Sequence, residues 1–141
     1  MAALLVTLDD YLTGPGLAPW RWGALDCVLF SAGWVLAAMG RDPAEGLRGT
    51  YATATGAHRL ILRAGGMVPL VGPRLLAIGC ARTDEPESGD VGVVRVTVDA
   101  SGRTASVGAI RCGAFWAARG ERALSYGDFP LVAAWRVPFS G

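Results

Sequence analysis

The chain contains no lysine. Its thirteen basic residues are all arginine and face twelve carboxylates, so the formal charge is +1. So even a balance leaves no electrostatic footprint for nucleic acid. Arginine without lysine reads first as the coding bias of a GC-rich genome, and secondarily as a hint of planar ion pairs at an interface. Histidine occurs once, at His58. That excludes a multi-histidine metal centre, and neither a metal nor a cofactor is expected. Cys27, Cys80 and Cys112 are odd in number, widely spaced and without a C-x-x-C pair. Neither a disulfide framework nor a zinc site follows. No apolar run reaches the roughly 18 residues of a membrane span. The longest, Val28 to Met39, contains serine and glycine and reads as a core helix. The first residues, "MAALLVTLDDYL", lack a basic start and carry two acids early, so no signal peptide is expected.

What is present suits one domain over residues 1–141, long enough to bury a core without disulfides. Hydrophobic residues make up 52% of the chain, and mean hydropathy is +0.36. Apolar surface in such excess, with no membrane to enter, suggests a protein covered by partners.

Residues 3–12 read as a short amphipathic helix stopped by Gly14-Pro15-Gly16. The Pro/Gly-rich loop that follows holds Trp20 and Trp22. Asp26 is placed to cap a buried helix over Cys27–Ala38 that ends at Gly40. A brief helix restarts after Asp42, with Pro43 in its first turn. Another is capped by Thr55 and ends at Gly65-Gly66, and "MVPLVGPRLLAIG" reads as a short helix broken by its prolines. Beyond the acidic turn "TDEPESGD" the texture becomes that of strands. Four are expected, near 91–98, 105–111, 114–119 and 131–137. Helices followed by an antiparallel sheet make an α+β domain.

Three pieces of this order resemble the NlpC/p60 branch of the papain-like cell-wall peptidases. "DCVLF" (Asp26–Phe30) is similar to that family's D-C-S-G-F, "SGDVGVV" (Ser88–Val94) to its P-G-D-L-V-F, and "SVGAIRCG" (Ser106–Gly113) to its H-V-G-I-Y-x-G. A closer resemblance is to small phage and prophage proteins encoded among tail genes. They share a D-C-x-x-F helix, an R-G-x-Y segment and a closing A-A-W-x-V strand. Here these are "DCVLF", "RGTY" (Arg48–Tyr51) and "AAWRV" (Ala133–Val137). The resemblance implies N-terminal helices packed on a four-stranded sheet. It also implies a cysteine nucleophile activated by a helix N-terminus and a histidine base on the facing strand.

The position matching that histidine is Ser106, whose hydroxyl cannot act as a base near neutral pH. His58 is a weak substitute, because nothing aims it at Cys27. Cys27 is therefore read first as a small residue beneath a helix cap, ahead of a vestigial reactive thiol and a working nucleophile. Asp26 is a cap whose charge opposes the thiolate. Trp34 and Trp135 are packing residues, whereas Trp20 and Trp22 are candidates for a groove or a partner contact. The expected function is a structural part of a phage tail tip or tail assembly, present in the virion, with hub or tip proteins as partners. The alternative is a peptidoglycan endopeptidase or amidase using Cys27 during DNA entry.

Overall fold

The computed structural model describes residues 7–138. The expected first helix falls partly on residues 3–6, outside that range. Its described part, α1 (Leu8–Thr13), opens on a reciprocal cap between Thr7 and Asp10 and stops at Gly14. A 3-10 turn (Pro15–Leu17) follows, then α2 (Leu29–Met39), α3 (Ala54–Ala64) and α4 (Met67–Ala77). The strands are β1 (Val91–Thr97), β2 (Thr104–Cys112), β3 (Phe115–Arg119), β4 (Leu124–Gly127) and β5 (Leu131–Trp135). All neighbours are antiparallel, in the order β4-β3-β2-β1-β5.

The α+β class therefore stands, but the sheet has five strands where the sequence suggested four. The additional one, β4, is only four residues long and lies on the outer side of β3. Three local expectations are also corrected. Residues 43–49 form turns instead of a helix, because Gly46 and Gly49 adopt left-handed φ angles of 84° and 73°. Thr53, not Thr55, caps α3 by accepting the Gly56 N–H at 3.0 Å. Helix α4 runs unbroken through both prolines. Pro69 falls in the first turn, where no intrahelical donor is needed, and Pro73 removes one bond from a helix whose Leu70 and Leu75 are buried.

Helix α2 lies on β1 and β2, and its Leu29, Phe30, Trp34 and Val35 are completely buried. They meet Val91, Val93, Ile110, Ala117 and Trp135 from the sheet. Apolar residues nearly all round its surface give α2 its central place. Tyr11 of α1 donates its hydroxyl to the Phe30 carbonyl at 2.6 Å, and Trp34 donates its indole N–H to Gly89 at 2.7 Å. Among the described residues, no single helix is long and apolar enough to cross a membrane.

The opposite face of the sheet holds a second, smaller core of Val94, Val107, Ala109, Trp116, Ala118 and Ala134. Trp116 lies over Gly92, with the Arg111 guanidinium 5.3 Å from its ring. A Cβ on Gly92 would sit 2.8 Å from Trp116 and 2.9 Å from the Ala133 carbonyl. Gly92→Ala is therefore expected to destabilise the chain by about 1–3 kcal/mol through overpacking. Urea unfolding measures this, and an unchanged midpoint would show that Trp116 is not seated on Gly92.

Candidate functional site

The segment ahead of α2 folds back on itself before the helix begins. Arg21 and Leu25 exchange backbone hydrogen bonds at 3.0 and 2.8 Å, enclosing Trp22, Gly23 and Ala24 in a tight turn. Asp26 follows, fully buried. Its Oδ1 accepts the N–H groups of Val28 (2.9 Å) and Leu29 (3.0 Å), so it holds the entry to α2, although the helix begins at Leu29, two residues later than the expected Cys27. Its Oδ2 accepts two further donors, the Gly23 N–H at 2.9 Å and the Tyr51 hydroxyl at 2.7 Å. One carboxylate thus joins the 21–25 turn, the start of α2 and the segment before α3.

The R-G-x-Y segment builds the far side of this clamp. Arg48 grips Asp42 with two bonds, Nε–Oδ2 at 2.8 Å and Nη2–Oδ1 at 3.1 Å. Asp42 is held well below the usual carboxylate range: burial pushes it up, but the Arg48 and Ala44 hydrogen bonds outweigh that. Gly49 donates to the Gly23 carbonyl at 3.0 Å. Gly23 has φ 84°, and any side chain there would run into the Tyr51 carbonyl. Tyr51 keeps its proton far above the ordinary tyrosine range, through burial first and then its bond to Asp26. Arg48 is the structural hydrogen-bonder near a turn that its sequence context suggests. Tyr51 and Gly23 as partners of Asp26 are findings of the structure.

Cys27 lies in the turn between this clamp and α2, half-buried, with α2 beginning two residues later at Leu29. Its carbonyl accepts the Gly108 N–H of β2 at 2.9 Å. A Cβ on Gly108 would come within 2.6 Å of Ser31 Oγ and 3.1 Å of the Cys27 carbonyl, so glycine lets this turn lie against the strand. The Cys27 thiol is pushed up to about 12, by burial first and by the Asp26 charge second. A helix N-terminus lowers a thiol pKa when its free N–H groups and dipole face the sulfur. Here Asp26 already takes the first two of those N–H groups and adds a negative charge of its own. The hollow behind the first turn of α2, lined by Val28, Ser31, Leu47, Leu75, Gly108 and Trp135, measures about 30 Å³.

Ser106 is half-buried on β2, directly across from Arg95 of β1. Strand alternation puts it on the same face as Gly108, two residues from the Cys27 contact. The strand that carries Ser106 thus lies against the cysteine turn. His58 is exposed on α3; the side chain that reaches the cysteine turn from that part of the chain is Tyr51. Trp20 and Trp22 stack edge to face, 5.0 Å apart at 88°, both half-buried. Trp22 packs against the main core, and the Trp20 indole N–H is buried without a partner. Arg119, also mostly buried, donates to the carbonyls of Gly16 (3.1 Å) and Ala18 (2.8 Å), which anchors the loop leading to these tryptophans.

Tyr51→Phe removes one of the two donors on Asp26 Oδ2 and is expected to cost about 1.5–3 kcal/mol, as for a hydrogen bond to a charged group. Denaturant unfolding reads this directly. A variant as stable as the parent would mean that the clamp does not depend on Tyr51.

Neither a curated protein nor a solved structure matches the chain. A family model described as "Domain of unknown function (DUF6950)" matches residues 5–137, nearly its whole length. The clamp, the cysteine turn and the sheet all fall within those residues, and the chain belongs to the DUF6950 family.

Proposed function

We propose that the chain is a structural component of a phage or phage-derived tail assembly, built on a peptidase-like scaffold that has lost its chemistry. The observation that carries the loss of chemistry is the state of Cys27. Its thiol is held protonated to about pH 12 by burial and by Asp26, whose carboxylate occupies the helix N–H groups that would otherwise favour a thiolate. Ser106 across the turn cannot take a proton from it near neutral pH. The two faults reinforce each other: the sulfur is a poor nucleophile, and no base is placed to improve it.

Support for an assembly role comes from the resemblance to tail-gene products and from the distribution of apolar residues. Phe115, Tyr126, Leu131 and Val132 on the sheet, and Leu36, Leu62 and Leu76 on the helices, are exposed. Single exposed apolar side chains are ordinary. Their recurrence on several elements of one small domain suits a protein covered by hub or tip partners.

The purified chain is expected to leave cell walls intact in a zymogram, with Cys27→Ala indistinguishable from the parent. Antibody against the chain is expected to detect it in purified tails. Clearing by the parent that disappears with Cys27→Ala would establish a peptidoglycan hydrolase instead. Absence from purified tails would overturn the structural assignment.

A further inference from the structure

Resting on the reading of the fold as a non-cleaving scaffold, we propose that an extended segment of a partner protein adds as a strand along the free side of β2 at Thr104–Val107, beside Cys27.

Strand β2 is longer than the strand on its far side. β1 pairs with it throughout Thr104–Ile110, whereas β3 pairs only from Ala109 to Cys112. The hydrogen-bond phase of an antiparallel ladder alternates, so its direction can be assigned residue by residue. Val98 donates to Arg103 at 2.8 Å, which makes their pair a bonded one. Counting inward by the register, Thr104, Ser106 and Gly108 form the unbonded pairs with β1. Their N–H and C=O groups therefore point toward the β3 side. Two observations agree with that phase. Gly108 donates on that side to the Cys27 carbonyl, and Arg95, opposite Ser106, donates away from β2 to the Pro130 carbonyl at 2.9 Å. The Cys27 turn thus takes the lane that β3 vacates. Beyond it, the backbone groups of Ser106 and Thr104 face a lane that no described strand occupies.

The side chains along this lane specify what fits. On one face stand Val107 and Val96, both packed into the smaller core. On the other stand Ser106 and, across from it, Arg95. Arg95 is exposed, and among the described residues its side chain hydrogen-bonds to the Thr104 hydroxyl alone, at 3.5 Å. Among the described residues no carboxylate lies within ion-pair distance of it, whereas Arg48, Arg103 and Arg136 each have one. An added strand would bring an apolar side chain beside Val107 and an acidic one beside Ser106, on the face where the Arg95 guanidinium reaches across β2 to Thr104. The partner segment therefore alternates β-branched apolar residues with carboxylates. Strand addition of this kind takes affinity from main-chain hydrogen bonds and specificity from alternate side chains. The free stretch "TASV" contains neither proline nor a charged residue, the features that ordinarily blunt an exposed edge.

The test uses the full chain and a blocked hexapeptide alternating valine and glutamate, with amide hydrogen exchange followed residue by residue. In the free chain the Ser106 amide should exchange at least about tenfold faster than the Val107 amide, which the ladder turns toward Val94. At about 10 mM peptide, some ten times the millimolar Kd of weak specific binding, Ser106 should slow by about tenfold. A peptide N-methylated at alternate positions should have no such effect. Arg95→Glu should weaken the glutamate peptide about tenfold and favour its lysine counterpart, through reversal of the charge at the lane.

No protection of Ser106, or equal protection by the methylated peptide, overturns the proposal. So does a free chain in which Ser106 is already protected in a concentration-dependent way, which would place a second copy on the edge. Mass spectrometry of the recovered peptide separates the two claims. A bound, intact peptide agrees with both. A bound, cleaved peptide keeps the docking lane and removes the non-cleaving reading, and an unbound peptide removes the lane alone.

Discussion

A single buried carboxylate organises the part of the molecule that resembles an active site. Asp26 is completely inaccessible, and it is matched by four donors from three separate stretches of chain. An isolated charge in that position would be strongly destabilising, whereas one accepting four hydrogen bonds is tolerable. The requirement runs both ways. Gly23 needs its left-handed backbone, Gly49 must dock on Gly23, and Tyr51 must point inward before the charge can be buried. The R-G-x-Y segment and the D-C-x-x-F helix are consequently one structural unit, though they are separated along the chain.

That unit also determines the state of the thiol. In a cysteine enzyme a helix N-terminus is useful because its N–H groups are available to stabilise negative charge at the sulfur. Asp26 takes that role for itself, and the helix dipole is spent on the cap. The sulfur is left partly buried beside the Asp26 carboxylate. The same turn docks its backbone on Gly108, where β3 leaves off, so it serves as a short piece of sheet edge. Asp90 plays a parallel structural part just ahead of β1. It accepts from Glu87, Arg136 and Val137, and so ties the turn before β1 to the chain just after β5.

Much of this organisation is legible in the sequence where the signal is local. The alternation of "VGVVRVTV" marks β1, the continuous apolar run marks α2, and an aspartate just before that run marks a cap. The elements that escape are those whose state is set at a distance. Four residues of "LSYG" carry no strand signal until β3 lies beside them. The prolines of α4 look like breaks, because burial of Leu70 and Leu75 is invisible in a linear pattern. "YATATG" offers two threonines two residues apart, Thr53 and Thr55, and it is Thr53 that caps α3. Around Asp26, the aspartate just ahead of the apolar run is visible in the sequence, and so is the glycine of β2 that lets the Cys27 turn approach. The hydroxyl of Tyr51 on Asp26 is not, since a hydrogen bond spanning 25 residues leaves no periodicity.

The most direct test of the clamp's effect on the thiol is a pH titration of Cys27 by its ultraviolet thiolate absorbance, with Cys80→Ala and Cys112→Ala removing the other thiols. Circular dichroism at each pH reports whether the chain is still folded. A raised native value means that the unfolded chain loses its proton first. Stability from this group should therefore be complete below about pH 9 and decline toward pH 12. The account predicts a folded protein whose thiolate is absent at neutral pH and appears only within that alkaline window, with Asp26→Asn moving the midpoint downward. A midpoint below about 8, or one that Asp26→Asn leaves in place, would contradict it.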